Sequence, residues 1–444
     1  MRNPSIRRRV RPTSGLLTAL SLFGVSACSD ITSLKQENPG SLSVETLYVP
    51  ANAQLLVNGA IGDFECAYNR YVVGSGLFTD ELTVAISQSN NYDYDARRLL
   101  TNHPYGTANC SSPSPSTSQY PGIYTPLSVA RATADTALAK LEGWTDDQVA
   151  NRQKLMGQAA TYAGYSLVLL GEGMCSAAIN LGPEIQPPAL FDEAVTRFTK
   201  AIAAATAAND AATLNLARLG RARAELDLGG ATNLAAAAAD AATIPATFVA
   251  STSPDAINAR RQNLVFINIS QSSFSTVDTS FRNVLVPGGT TQDPRVNVLD
   301  LARTGTATGS KLFIPAKDNA NNLPLRVGSY AEAQLIIAEN AVATGDLPAA
   351  VTAINNARSR TAGLPAYVLP AGATAADVKA QIIEERRREF FLEGHRLGDL
   401  RRNNLPFTPA SGAAYQYGGV YGTQTCFPLP DVERINNPTI AGTP

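Results

Sequence analysis

Two histidines, His103 and His395, are all that 444 residues contain. A multi-histidine metal centre is thereby excluded, and any Ser-His-Asp or Cys-His arrangement would have to recruit one of those two. Charge is sparse as well: only 16% of residues are Asp, Glu, Lys or Arg, with 36 basic against 37 acidic. No strong field exists to hold nucleic acid or an anionic membrane, so no nucleic-acid partner is expected. After residue 27 no window reaches 18 uninterrupted apolar residues, which leaves no candidate spanning helix there. Tryptophan occurs once, as Trp144 in a Leu141-Glu142-Gly143-Trp144 turn, which suits packing better than ligand stacking.

What is present begins with compartment. Residues 1–11 carry five arginines and no acid, Gly15 to Ala27 form an apolar run, and Val25-Ser26-Ala27-Cys28 follows at once. This is the pattern of a signal peptide over 1–27 with a lipobox, so lipidation is expected at Cys28. Acyl chains on that cysteine anchor a chain to a membrane without a spanning helix. Cleavage leaves 31 basic and 37 acidic residues, a net charge of −6. Four cysteines remain, Cys66, Cys110, Cys175 and Cys426, and an even count outside the cytoplasm favours two disulfides. Three pairings are possible; proximity in sequence favours Cys66 with Cys110, which leaves Cys175 for Cys426. No two of the four stand in a CxxC spacing, so a metal role for them is disfavoured.

Residues 28–50 read as a lipidated tether, ending in the polar run to Asn38-Pro39-Gly40. Helical periodicity starts at Ala53, where Leu56, Val57, Ala60, Ile61 and Phe64 share one stripe. Between residues 69 and 124 it dissolves into Gly, Ser, Asn, Pro and Tyr, the composition of a long inserted loop. It then returns as four stripes: Leu127 to Leu141, Leu155 to Leu170, Phe191 to Ala205, and Leu214 to Leu228. Ala338, Ala341, Gly345-Asp346, Ala350, Ile354 and Ala357 sit where a tetratricopeptide repeat places small, turn and packing residues. Weaker echoes put turns at Gly171 and at Gly229-Gly230. The expected fold is mostly α: a tetratricopeptide-like helix-pair scaffold with an irregular, loop-rich lobe holding a few short strands, which Leu264 to Pro315 would supply. Two regions are expected, a helical one over 51–260 and a second over 261–444 that carries the last helix pair.

Residues 384–402 read EERRREFFLEGHRLGDLRR. Charges of both signs lie three and four residues apart, as in Glu385 with Arg388 and Arg386 with Glu389, beside like-charged Glu385 with Glu389 and Glu389 with Glu393. Such density needs tertiary partners. Glu385, Arg386, Arg388, Glu389, Glu393, His395, Arg396 and Asp399 are therefore read as a structural ion network, on a helix over 376–394 that Gly394 ends.

This stretch resembles the signature helix of the SusD/RagB family of outer-membrane nutrient-uptake lipoproteins. Further matches are the lipobox at Cys28, Asn38-Pro39, Ile123-Tyr124 to Leu141, Tyr330-Ala331-Glu332-Ala333, and Cys426-Phe427-Pro428-Leu429-Pro430 with Glu433 and Asn437-Pro438. The pattern departs at Leu397 and Gly398, where the family usually carries an aromatic pair. The segment 264–315 is also short for a family whose ligand face is often built from long insertions. The resemblance implies a non-enzymatic, cofactor-free binder at the cell exterior. It would be anchored in the outer membrane by lipid, partner a SusC-like TonB-dependent transporter, and deliver oligosaccharide or, in some relatives, peptide.

A sugar site needs aromatic rings for C–H faces and planar polar groups for hydroxyls. Asn90, Asn91, Tyr92, Asp93 and Tyr94 offer both in one segment, and alternation would set Tyr92 and Tyr94 on one side. Tyr120, Tyr124 and an exposed aromatic loop at Tyr415, Tyr417 and Tyr421 are secondary candidates. Asp93 with Asp95 could instead hold calcium, although their spacing matches no full oxygen-ligand loop. A protein-binding adaptor that captures no nutrient is the alternative function. A glycoside hydrolase is disfavoured, because the Asp80-Glu81 pair is adjacent and would diverge on a strand.

Overall fold

Six helices in sequence, each packed on the next, make the scaffold of the computed structural model, which describes residues 44–86, 89–110, 121–306 and 309–441. The signal peptide, Cys28 and Tyr120 lie outside the described residues. Residues 1–47 and 48–444 separate into two units; in the first, Val44–Leu47 is one helical turn, and all that follows concerns the second.

The second unit opens with α1 (Ala53–Phe78), a 26-residue helix. A short helix, α2 (Ser89–Asp95), precedes α3 (Tyr124–Glu142), α4 (Arg152–Gly173), α5 (Pro187–Ala207), α6 (Ala211–Leu228) and α7 (Gly230–Ala241). The stripes read from the sequence are their buried faces: Leu127, Ala130, Ala134, Leu138 and Leu141 are all buried on α3. Helix starts are fixed by caps. Asp210 accepts from the Thr213 N–H ahead of α6, which satisfies a backbone donor that the first turn leaves open. The final repeat is α8 (Tyr330–Ala343) and α9 (Leu347–Arg358), turned by Gly345 at φ +81°. Helix α8 packs on α6 and α7, which carries the stack across residue 260, and α10 (Ala375–Glu389) covers α8 and α9. No helix among the described residues is long and apolar enough to cross a membrane.

Close approach decides which residues these helices use. An added Cβ at Gly164 would lie 2.7 Å from the Phe198 ring, and one at Gly220 only 2.3 Å, so that phenylalanine fills the space two glycines leave. Gly171 behaves likewise. It lies inside α4, not at a turn as its place in the repeat echo implied, and an added Cβ there would lie 2.4 Å from the Phe191 ring.

The segment read as a loop over 69–124 is structured for much of its length. Helix α1 runs on to Phe78, and every residue from Phe64 to Phe78 is buried. A helix covered on all sides shows no apolar stripe, and its Gly74 and Gly76 read as breakers. They are packing positions, with Ile123 and Leu392 against them. Beyond α1, strand Leu82–Val84 pairs antiparallel with Ser275–Val277, and Val298–Thr304 with Lys311–Pro315. Two further short ladders join Ala177–Ala178 to Glu184–Ile185 and Val249–Ser251 to Arg326–Ser329. The architecture is thus mostly helical, with a loop-rich lobe of small two-stranded pieces.

Two disulfides join Cys66 to Cys110 and Cys175 to Cys426. The second fastens the chain's closing segment to the end of α4, where the Cys175 N–H also donates to Phe427 O at 2.8 Å.

Candidate functional site

The signature residues come first, because they fix what the lobe rests on. Glu385 is gripped by Arg295 at 2.6 Å and Arg358 at 2.5 Å; Glu389 and Glu393 share Arg326 at 2.9 and 2.8 Å, and Lys317 reaches Glu393 at 2.5 Å. Arg386 meets Asp399 at 2.8 Å, Arg388 meets Asp293 at 3.1 Å, and Arg396 meets Asp80 at 2.7 Å. The helical pairs expected within the stretch, such as Glu385 with Arg388, are replaced by these longer-range ones; local pairs persist where Arg387 and Arg388 meet Glu384 and where Arg402 meets Asp399. Guanidiniums buried this deeply need full neutralisation, which neighbours on one helix cannot supply.

Helix α10 ends at Glu389, before Gly394. Leu392 at φ +52° and Gly394 at φ +72° form the tight turn, and Arg396–Arg402 then forms a second helix, α11. An added Cβ at Gly394 would lie 3.1 Å from Tyr71. Gly398, at the departure from the family pattern, packs on Glu172, with an added Cβ 3.0 Å from its side chain. An aromatic ring there would displace the carboxylate that holds Arg223. His395 stacks on Phe390 with centroids 4.3 Å apart, and its Nε2 accepts from Arg223 at 3.1 Å. Burial, with the Arg223, Arg386, Arg326 and Lys317 charges, holds its pKa well below the ordinary value, so the ring is neutral.

Glu81 and Glu332, in this frame, carry strongly raised pKa values. Burial pushes Glu81 to about 8, opposed by the Leu392 N–H it accepts, and Glu332 to about 7, opposed by the Arg223 charge. Since both folded values exceed the ordinary 4.5, the stability these protons contribute is full below about pH 4.5 and is lost as pH rises through 7 to 8. The melting temperature should therefore fall between about pH 4.5 and 8, and Glu81→Gln should flatten that fall by close to one proton's worth. Parallel slopes for the variant and the parent would contradict it.

The aromatic residues gather elsewhere. Asn90, Asn91, Tyr92, Asp93 and Tyr94 form helix α2 rather than an alternating loop, which sends Tyr92 and Tyr94 in opposite directions. Tyr94 is fully buried, donates to Pro121 O at 2.6 Å and packs edge-on against His103 and Phe427; it is a core residue. Tyr124 is also buried and accepts from the Ala178 N–H, so it leaves the candidate set. Tyr92 stays half-buried. It stacks on Tyr417 at 4.6 Å with 11° between the rings, and both stand edge-on to Tyr415 at 5.9 and 5.6 Å.

Tyr415, Tyr417 and Tyr421 reach this place on a small hairpin, residues 412–422, turned by Gly418 at φ +103° and Gly419 at φ +75°. The loop was expected to be exposed, but Tyr415 and Tyr421 are buried and only Tyr417 keeps partial access. Arg98 lies 5.5 Å over Tyr415 and Arg97 lies 4.9 Å over Tyr421, which covers ring faces that a loop in water would expose. Tyr417 donates to Val84 O at 3.0 Å and Gln416 to Thr83 at 2.9 Å. Asp95 holds the other side: its carboxylate accepts from Thr83, the Val84 N–H and Tyr415. Burial raises its pKa to about 6 against those donors. A carboxylate so occupied is a brace rather than a calcium ligand, and no metal-holding group of three or more His, Cys, Asp or Glu occurs among the described residues.

Beside the tyrosines opens a cleft of about 580 Å³, within the range of small-ligand sites. Its lining includes Thr83, Arg282, Phe313, Tyr415, Gln416 and Tyr421. Three other clefts, of about 240, 500 and 250 Å³, carry no aromatic ring among their described lining residues. Trp144 lines none of the four. Sequence reasoning missed Arg282, Phe313 and Thr83, which sit on strand edges and turns where no periodicity marks them. The signal available was the Gly418-Gly419 turn between tyrosines.

Comparison with known proteins bears on the whole chain. Residues 317–438 match the model of the SusD family. No curated protein matches by sequence. Among solved structures, a SusD superfamily protein from Bacteroides fragilis aligns with a TM-score of 0.67 at 14% identity, covering 88% of this chain and 99% of that one. Surface glycan-binding protein A from Bacteroides thetaiotaomicron, in complex with laminarihexaose, aligns at 0.64 and 15%, covering 88% and 98%. A SusD-like carbohydrate binding protein from Bacteroides vulgatus gives 0.62 at 13%, covering 88% and 97%. At these identities the likeness to the solved structures is one of fold.

Proposed function

We propose that this chain, whose residues 317–438 match the SusD family model, is a non-enzymatic lipoprotein of the cell surface that captures oligosaccharide and passes it to a TonB-dependent transporter of the outer membrane. The observation that carries the reading is the tyrosine-walled cleft. Tyr415 and Tyr421 reach its wall, the Tyr92–Tyr417 stack packs against Tyr415, and Gln416, Thr83 and Asp278 add hydroxyl-binding groups. A relative in fold is a surface glycan-binding protein whose structure holds a glucan hexamer, which supports sugar as the ligand class. Two carboxylates facing each other across the cleft would be required for glycoside hydrolysis, whereas Asp278 is the single acid in its described lining. Asp80 and Glu81 are buried and committed to Arg396 and the Leu392 N–H. The lipid anchor at Cys28 and the transporter partnership rest on the family resemblance.

Residues 29–444, folded with their disulfides, should bind an oligosaccharide with a Kd on the order of micromolar or weaker by calorimetry, as suits an open site. Tyr92→Ala and Tyr417→Ala should each weaken it about tenfold, because each leaves its stacking partner alone. Loss of glycan binding with a retained transporter partner would separate capture from docking. Unchanged affinity in both variants would remove the cleft from the reading, and silence across glycan and peptide libraries would remove capture altogether.

A further inference from the structure

The charge of the cleft runs against that of the chain. Acids outnumber bases in the sequence, 37 to 36, yet the cleft's described lining holds two cations, Arg282 and Lys311, and one acid, Asp278. The acid is already engaged. Asp278 accepts from the Ser280 N–H at 2.8 Å and from Thr279, capping the helical turn Thr279–Arg282. Neither cation has a carboxylate within 4.0 Å among the described residues. Arg282 lies over the Phe313 ring, 4.4 Å from its centroid, and its Nε donates to Val277 O at 2.8 Å. That clamp fixes the guanidinium plane and leaves its two terminal nitrogens without a carboxylate.

Three arginines elsewhere in the molecule are matched by acids, whereas buried Arg97 rests on Pro409 O and on the Phe407 and Tyr421 rings. Arg295 lies between Asp293 and Glu385, Arg223 grips Glu172 through two contacts of 2.6 Å, and Arg402 holds Glu339 and Asp399. The contrast has an electrostatic signature. Burial lowers Arg282 below its ordinary pKa, with Asp278 and Asp300 opposing only weakly; Arg295, also lowered by burial, is carried above its ordinary value by Asp293 and Glu385. A preoriented guanidinium in one cleft with a lysine, neither in an ion pair among the described residues, is suited to a planar or tetrahedral oxyanion.

We infer that the cleft takes an acidic oligosaccharide, one bearing carboxylate or sulfate groups, in preference to a neutral glycan. The anion meets Arg282 and Lys311 while the sugar rings lie along the tyrosines. The inference rests on the cleft being a glycan site, and the two can fail separately.

Calorimetry on residues 29–444 would compare laminarihexaose, a hexamer of galacturonic acid and a sulfated hexasaccharide, at about 50 and 200 mM salt. At least one acidic hexamer should bind about tenfold tighter than the neutral one and lose affinity with salt. Which acidic hexamer wins tells carboxylate from sulfate recognition. Arg282→Gln and Lys311→Gln should each reduce acidic binding several-fold more than neutral binding, while Arg282→Lys should retain part of it. Melting curves identify any variant that fails to fold, and Lys311, which is exposed, then serves as the independent probe. Neutral binding equal to or tighter than acidic, salt-independent affinity, or tighter capture of a glutamate hexapeptide overturns the inference and leaves a binding role standing. If none of the three sugars binds, the glycan reading falls and takes this one with it.

Discussion

Arg223→Met is expected to lower stability by about 3–5 kcal/mol, a scale set by breaking a buried ion pair on one side only. Arg223 is buried, meets both oxygens of Glu172 at 2.6 Å, and donates to Gly394 O and His395. Glu332 and Asp227 are also within its field, and burial raises the pKa of both against that positive charge. Methionine fills similar volume but leaves three carboxylates sharing a pocket that has lost this cation. The deficit should shrink as pH falls, since protonation then relieves the acids. Chemical denaturation at pH 5 and pH 8 measures both statements; a loss below about 1 kcal/mol at pH 8 would show that other arginines or water compensate.

The disulfide between Cys175 and Cys426 should give the other large effect. It closes a loop of 251 residues, and loop entropy in the unfolded chain makes its contribution about 2–5 kcal/mol. A Cys175→Ser, Cys426→Ser double variant should melt well below the parent. The Cys66 to Cys110 bridge, with a separation of 44, should contribute less. The larger loss also has a local face, because Phe427 beside Cys426 packs on Phe78, Tyr94 and Tyr105. Equal losses from the two bridges would indicate that local packing, not loop length, sets the scale.

The scaffold was legible where helices have one wet face. The stripes on α3 through α6 and the Gly345 turn are visible because water on one side imposes a period on the residues. That signal vanishes for α1 beyond Asn69, which is enclosed on every side, and for α2, whose Asn-Asn-Tyr-Asp composition favours turns and whose helix is imposed by packing. Gly171 misled for a related reason: a glycine that admits a phenylalanine and a glycine that admits a left-handed turn look alike in sequence. The ion network was legible as a network, since so many charges in nineteen residues cannot all face water. Its partners were not, because Arg295, Arg326 and Asp80 arrive from remote segments. The tyrosines were visible as a composition. Their division into core (Tyr94, Tyr124), cleft wall (Tyr415, Tyr421) and the half-buried stack beside it (Tyr92, Tyr417) depends on which way each short element turns.

The hairpin at 412–422 is latched to the opposite end of the sequence, Tyr417 to Val84 and the Gly422 N–H to Ala96 O. Residues near the start of the folded unit and residues near its end must therefore meet before this wall of the cleft exists. A chain truncated before residue 412 would lack Tyr415, Gln416 and Tyr421 and leave Thr83 and Arg282 without their opposite side.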